Sequence, residues 1–417
     1  MAKIEEHFFT EGNFVCRDVE LRGRKLSSAR LPVSTRSSSA QPDELFDFHW
    51  LLAPAPPRYN HASAAEVKIV DLFCGGGFLS LGVREACNAL GLNPNVTLGV
   101  ELDPTFANAY QRNLDPEQMV VGDIAEIFPT VEDQSKRRRE IHAAIHRTKV
   151  DLLLAGPPCQ GHSRLNNHTR HDDPRNQLLT NVVNAIKVLQ PKVAIIENVR
   201  GLNVDRSNIL KRTRHQLKSL GYGTTFSVLR AQNYGVPQNR ERAFLVAIKG
   251  KKPSPLWECR WGLSSCARPI SWVLDDLREP LSKRQIFDFP SKASPRNQER
   301  INFLFRNQTH ELPDEMRPPC HQGKSNSYPS IYGRMHWDKP AQTITTGFNS
   351  PGQGRFIHPL QARTITPHEA ARIQTIPDFY QFGTQSRATY SKLIGNAVPP
   401  LLAYSVGLDA ITQALIE

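Results

Sequence analysis

A doubly wound α/β fold with a mostly parallel sheet is the class this 417-residue sequence predicts. From Val67 to about residue 250, short runs of Val, Ile and Leu alternate with helical patterns. Runs that are apolar at nearly every position mark strands covered on both faces. Several of these runs also end in an acid or a glycine turn, as strands do at the ligand-binding edge of such a sheet.

Taken in order, VKIVDLF (67–73) is the first strand, followed by glycines and a helix through SLGVREACNAL (80–90). VTLGVE (96–101) is a second strand ending in Glu101, and PTFANAYQRN (104–113) a helix. QMVVGD (118–123) is a third strand, running to Asp123, and the basic stretch KRRREIHAAIHR (136–147) reads as a solvated helix. VDLLLAG (150–156) is the fourth strand, NQLLTNVVNAIKVLQ (176–190) a helix, KVAIIEN (192–198) a fifth strand and AFLVAI (243–248) a later one. TPHEAARIQTIPDFY (366–380) begins a helix at a Thr-Pro start, and AVPPLLAYSVGLDAITQAL (397–415) is a last helix.

Flanking regions break this rhythm. KLSSARLPVSTRSSSAQPDE (25–44) is Ser-rich and LLAPAPPRYNHASAA (51–65) is a Pro/Ala linker, so residues 1–65 are expected to be a partly flexible extension. Residues 66–250 form the alternating domain, residues 251–335 an irregular second domain rich in Pro, Arg and Asn, and residues 336–417 a return to the first.

Composition narrows the class. With 52 Lys and Arg against 40 Asp and Glu, the chain carries a formal charge of +12, which favours a polyanionic partner such as nucleic acid. The 7 cysteines lack paired short spacings, so reduced thiols in a cytosolic compartment are expected rather than a disulfide framework. Cys259, Cys266 and the Cys320-His321 pair are spaced too widely for a usual zinc knuckle, and no metal is expected. No apolar run reaches membrane-spanning length, and MAKIEEHFFTEGNF (1–14) carries acids where a secretory signal needs a basic start.

The chemistry-bearing residues sit at strand ends. DLFCGGGFLSLG (71–82) places glycines where a ligand can approach the backbone at a helix N-terminus, although a plain tight turn reads the same way. Glu101 and Asp123 add acids at neighbouring strand ends, which together suit an adenosine-containing cofactor, either a dinucleotide or S-adenosylmethionine. GPPCQGHS (156–163) follows strand four. Pro157 and Pro158 stiffen the backbone and so aim Cys159, a candidate nucleophile whose alternative is a buried structural thiol. Glu197 of ENVRGL (197–202) ends strand five and is a candidate proton donor. Arg240 and Arg242 alternate on entry to a strand, so both are expected on one face, as anion and base binders or as surface salt bridges.

DLFCGGG, GPPCQGHS, ENVRGL, QNYGVPQNRER and LIGNAVPP, in this order, resemble the motifs of the DNA (cytosine-5)-methyltransferases. DPRNQLL (173–179) and RTITPHEAARIQTIPDF (363–379) look like further family segments, and the resemblance covers roughly residues 67–250 and 336–417. It implies a Rossmann-like catalytic domain facing a target-recognition domain at 251–335. It implies S-adenosylmethionine as cofactor, S-adenosylhomocysteine as product and double-stranded DNA as substrate. By this resemblance Cys159 adds to C6 of a flipped-out cytosine, Glu197 engages N3, and Arg242, supported by Arg240, holds the base and nearby backbone. Phe73, Gly75, Gly77, Glu101, Asp123, Pro158 and Asn396 match cofactor-contacting positions. Phe78 departs from the pattern, standing where the family usually has another glycine, so altered cofactor contacts are expected there. Compact size without chromatin-reading modules implies a bacterial or phage-type cytoplasmic enzyme, a monomer at work on the nucleoid, whose functional partner is a cognate restriction endonuclease.

Three other readings compete. A nicotinamide oxidoreductase shares the sheet but leaves the Pro-Pro-Cys turn, Glu197 and the arginine pair unexplained. An RNA cytosine-5 methyltransferase of the same architecture differs in its recognition region. A DNA-binding relative that lost the chemistry has no reason to keep Cys159, Glu197 and Arg242 together.

Overall fold

The computed structural model describes residues 4–33, 41–61, 65–128, 149–158, 178–204, 208–260, 267–278, 285–323 and 330–416. The basic stretch 136–147, Cys159 and Cys266 lie outside the described residues. Its strands are β1 (Ile4–Glu11), β2 (Phe14–Leu21), β3 (Arg24–Pro32), β4 (Tyr59–His61), β5 (Glu66–Leu72), β6 (Asn93–Glu101), β7 (Gln118–Val121), β8 (Leu152–Ala155), β9 (Val193–Asn198), β10 (Tyr222–Arg230), β11 (Gln238–Asn239), β12 (Glu241–Lys249) and β13 (Ala341–Gln342). The longer helices are α1 (Pro42–Leu52), α2 (Phe78–Ala89), α3 (Pro104–Leu114), α4 (Leu178–Leu189), α5 (Ile209–Ser219), α6 (Pro295–Arg306), α7 (Pro367–Ile373), α8 (Arg387–Asn396) and α9 (Pro400–Ile411).

The predicted doubly wound sheet is present, seven strands in the order β10-β12-β9-β8-β5-β6-β7. Pairs from β7 through β9 are parallel, while β12 runs antiparallel to both β9 and β10. Period-two alternation explains the uninterrupted apolar runs, because each face of the sheet has its own core. Leu152, Leu154, Val193, Ile195, Phe244 and Val246 face the core shared with α2 and α9. Leu153, Ala155, Ala194, Ile196, Leu245 and Ala247 face the core shared with α4.

Helices α2 and α9 meet at Gly82. A methyl group there would sit 2.6 Å from Ala403 Cβ and 2.7 Å from the Tyr404 nitrogen, so only glycine lets the two backbones come this close.

The N-terminal region differs from the flexible extension that its composition predicts. Residues 4–32 form an antiparallel meander, extended to four strands by β4, and the first half of the Ser-rich stretch is β3 itself. Its turns carry positive φ at Gly12 (57°), Arg22 (53°) and Gly23 (75°), values that hairpin turns require and glycine supplies without strain. Ile4 and Val19 join the main core, whereas Val15, Ala29 and Leu31 pack with Leu45, Phe46, Trp50 and Leu51 of α1. Burying each such Ile, Val or Leu contributes about 1.5–3 kcal/mol.

Beneath this meander lies a buried ionic network. Arg17 Nη2 donates to Glu85 Oε1 (2.9 Å), Arg260 Nε to Glu6 Oε2 (3.3 Å), Arg268 Nη1 to Asp47 Oδ2 (2.8 Å), and Tyr404 Oη to Glu6 Oε1 (2.6 Å). Burial raises the pKa of Asp47, but Arg260 and Arg268 more than offset it and hold the carboxyl below its usual range.

Composition marked residue 251 as the start of a second domain, yet the packing continues beyond it. Leu256 lies in the main core, and Ile270, Val273 and Leu274 pack in the core shared by α1, α7 and α8. A separate small core is built farther on, from Ile301, Leu304 and Leu312, closed by Ile357 from the returning chain.

Candidate active site

Five parallel strands deliver their carboxyl ends to one edge of the sheet. After Leu72 the chain turns through Phe73, Cys74, Gly75, Gly76 and Gly77 into α2. Phe73 (φ 56°), Gly75 (53°) and Gly77 (80°) all adopt left-handed backbone, a strained state for the phenylalanine. The turn is fixed from two sides. Gly75 N donates to Glu101 Oε2 (2.8 Å) at the end of β6, and Tyr380 Oη donates to the Gly76 carbonyl (2.6 Å). The space in front of Gly75 is open, whereas a methyl group on Gly77 would meet Leu114 and Tyr110 of α3 within 2.8 Å. Gly75 thus borders the crevice, whereas left-handed backbone and packing against α3 together account for Gly77.

Glu101 is spoken for by backbone. Its Oε1 accepts from Leu102 N (2.9 Å) and Asp103 N (3.0 Å), which sets the carboxylate rigidly at the strand end. Asp123 is exposed and caps the short helical turn after it, accepting from Ala125 N (2.8 Å). Leu102 and Val121 remain 68% and 47% exposed beside these acids, an apolar pair that the sequence reading missed. Exposed leucine and valine beside polar strand ends mark a surface suited to a flat apolar ligand.

Phe78 does not enter the crevice. Its ring is 4% exposed and packs on Tyr380 (centroids 4.7 Å apart) and Phe382 (6.3 Å). This aromatic cluster supports the turn from behind. A methyl group on Gly76 would lie 2.8 Å from the Phe78 ring, so the departure from the family pattern is absorbed on the core side.

Deeper in β5, the buried Asp71 carboxyl accepts from Ser80 Oγ (2.6 Å), and burial pushes its pKa up to about 7.

The Gly156-Pro157-Pro158 turn leaves β8 directly beside the end of β9. Gly156 N donates to the Leu72 carbonyl (3.2 Å), and Asn198 Nδ2 reaches the Pro157 carbonyl (3.5 Å). Pro158 is exposed, and Cys159, next in sequence, lies outside the described residues.

Glu197 faces this turn. Its Oε1 pairs with Arg242 Nε at 2.8 Å, with side chains only 12% and 13% exposed, while Oε2 lies 3.7 Å from where a Gly156 side chain would begin. Burial raises the Glu197 pKa, and Arg242 and then Arg240 only partly counter it. A buried carboxyl that holds a proton more readily than a free one, yet sits next to a guanidinium that stabilises its charged form, is suited to give and retake a proton.

Arg240 requires a correction. It stands just before β12, is 1% exposed, and donates from Nη1 to the Ile344 carbonyl (2.8 Å) and from Nη2 to the Gly395 carbonyl (2.9 Å). Its side chain stitches the two halves of the catalytic body together rather than reaching a ligand alongside Arg242. Gln238 completes the seam, bonding Gln374 and Ile344 N, and β11 pairs in parallel with β13. Asn396 is exposed at the end of α8, one residue after the carbonyl that Arg240 holds. Alternation along the sequence gave no sign of partners that lie more than 100 residues away.

Comparison with known proteins decides the family. Residues 67–412 match the model for the C-5 cytosine-specific DNA methylase. The chain belongs to this family. It is therefore a DNA (cytosine-5)-methyltransferase. The type II methyltransferase M1.BsuMI of Bacillus subtilis is 42% identical over 416 residues, which covers 97% of this chain and 95% of that one. The type II methylase M.HgiDII of Herpetosiphon aurantiacus is 32% identical over 80% of this chain and 92% of its own. Among solved structures, a DNMT2 variant from Spodoptera frugiperda superposes with a TM-score of 0.57 at 15% identity, covering 84% of this chain and all of that one. S. pombe Dnmt2 gives 0.53 at 16% identity, covering 82% and 98%. At these identities the likeness speaks for the methylase fold alone.

Proposed function

We propose that this methyltransferase uses S-adenosylmethionine to methylate C5 of a cytosine rotated out of a specific duplex site, as the modification enzyme of a type II restriction system. The observation that carries the reading is the Glu197–Arg242 pair set against the Gly156-Pro157-Pro158 turn. Long similarity to two type II methyltransferases supports the modification role. Such an enzyme works in the cytoplasm, where its DNA is. Among the described residues no helix is long and apolar enough to cross a membrane, and no group of three or more His, Cys, Asp or Glu side chains could hold a metal ion.

The crevice fits the cofactor. Open space before Gly75, the fixed Glu101 carboxylate and exposed Leu102 and Val121 offer respectively room for a chain, an acceptor for ribose hydroxyls and an apolar wall for adenine. The family motifs in which Phe73, Asp123, Pro158 and Asn396 stand assign these residues to the same cofactor. When bound, S-adenosylmethionine supplies an electrophilic methyl group.

The residues supply the rest. C5 of cytosine is too weak a nucleophile unaided. Cys159 adds as thiolate to C6 while Glu197 passes its proton to N3, which makes C5 enamine-like and able to take the methyl group. Loss of the C5 proton to base and expulsion of the thiolate restore the ring, and N3 returns its proton to Glu197. Arg242 anchors Glu197 and meets the base. The Pro-Pro turn serves the geometry, because the sulfur must approach C6 to about 3 Å. Recognition is assigned to the small core around α6 and its flanking segments, where Arg296, Glu299, Asn302 and Arg306 are exposed on one helix.

The test is transfer of tritium from labelled S-adenosylmethionine to duplex DNA, with bisulfite sequencing to locate the product. Wild type should label cytosines in one short sequence, and Glu197→Gln should lower kcat by about 10²–10⁴ while still binding DNA. Label in adenine, in RNA only, or at random cytosines contradicts the reading.

A further inference from the structure

Outside the crevice, the chain builds a second strongly charged feature. Helix α5 buries only Ile209, Thr213 and Leu217, a stripe at every fourth residue. Leu210 is half-buried, and the remaining surface is exposed and carries Lys211, Arg212, Arg214, His215 and Lys218 without an acid. These residues line one groove of about 1040 Å³ between α5 and the edge strand β10, and Lys252 closes its far end. No acidic side chain lines it among the described residues.

Among the described residues its cations are unpaired. Nearby Arg200 and Arg230 both lean on Glu241, at 2.9 and 3.4 Å. Lys211, Arg212, Arg214, Lys218 and Lys252 make no ion pair among the described residues, and Arg214 alone is steadied, by Thr224 Oγ1 (3.1 Å). Uncompensated charge of one sign on one helix face costs self-repulsion, which a bound polyanion relieves. The groove starts at Leu202, the last residue of the ENVRGL segment that follows Glu197 out of β9, and at Asn208. It then follows a helix of 11 residues, about 16 Å long, room for a short run of consecutive phosphates of one DNA strand.

We propose that this groove takes the phosphate backbone of duplex DNA flanking the target site, as an electrostatic track separate from the catalytic crevice. It rests on duplex DNA being the substrate. The track adds affinity and salt sensitivity for long DNA and takes no part in reading sequence or in chemistry.

The experiment uses the full chain and a variant combining Lys211→Gln, Arg212→Gln and Lys218→Gln, all exposed positions outside the catalytic machinery. Duplexes of 12 and 40 base pairs, centred on the site that bisulfite sequencing identifies, are titrated between 50 and 200 mM salt, with kcat measured on each. Losing three phosphate contacts should reduce the slope of log K against log salt by about 2.7 on the long duplex. Wild-type affinity for that duplex should therefore fall about 40-fold more than the variant's across this range. The short duplex, which leaves the flanking backbone shorter, should lose less than the long one, and kcat on both and the unfolding midpoint should not change. An unchanged slope on the long duplex overturns the proposal, as does an equal loss on both lengths. Absence of methylation by wild type on the short duplex would instead sink the substrate assignment, so the two failures are distinct.

Discussion

Replacing Arg242 by leucine removes the only ion-pair partner that Glu197 has among the described residues, at an Nε to Oε1 distance of 2.8 Å. Two unit charges about 4 Å apart in an effective dielectric near 20 attract by roughly 4 kcal/mol, an attraction that favours the charged carboxylate. Burial already raises the Glu197 pKa and Arg242 opposes that rise, so its removal drives the value further up. Glu197 acts in its protonated form, and activity in the wild type falls as pH rises through its pKa. In Arg242→Leu the alkaline limb of kcat/KM should therefore move to higher pH, even though the lost base contact lowers the plateau. Tritium transfer measured from pH 6 to 9.5 reads both effects. A limb that stays in place, or moves toward acid, refutes the assignment of that limb to Glu197.

Three further outcomes follow from the packing. Gly82→Ala should force α2 and α9 apart at Ala403 and lower stability by about 1–3 kcal/mol in urea unfolding; an unchanged midpoint would show that this contact yields. Asp47→Asn breaks the buried network with Arg260 and Arg268 and should cost about 3–5 kcal/mol at pH 7. Because the Asp47 pKa is lowered in the fold, this contribution is present above its unfolded value near 4 and fades as pH falls below it, so the gap between variant and wild type should close in acid. A gap that widens in acid contradicts the pairing. Leu102→Ala should raise KM for S-adenosylmethionine roughly five- to thirty-fold at constant KM for DNA, and an unchanged cofactor KM would remove Leu102 from that site.

The sheet was legible because two-sided burial leaves a mark at every position: Leu152–Ala155 and Val193–Ile196 can be little else. Glu197 and Arg242 were legible for a related reason, since strand ends on one edge converge whatever the loops do. Arg240 was misplaced because alternation fixes a local direction and not the carbonyls of Ile344 and Gly395 that capture the side chain. The N-terminal meander was hidden by serines on a half-buried strand: Ser27 is buried through a hydrogen bond to the Ala89 carbonyl, a partner that composition cannot disclose. Leu102 and Val121 escaped notice because apolar residues beside a strand read as core, and only the fold leaves them in the open.

The central claim is a transient carbon–sulfur bond at one thiol, and a duplex carrying 5-fluorocytosine at the target position tests it most directly. Fluorine at C5 blocks the final elimination, so incubation with S-adenosylmethionine should leave protein and DNA covalently joined, with the adduct mapped to Cys159 by peptide mass and absent in Cys159→Ser. Turnover without an adduct, or an adduct on another cysteine, would contradict the account.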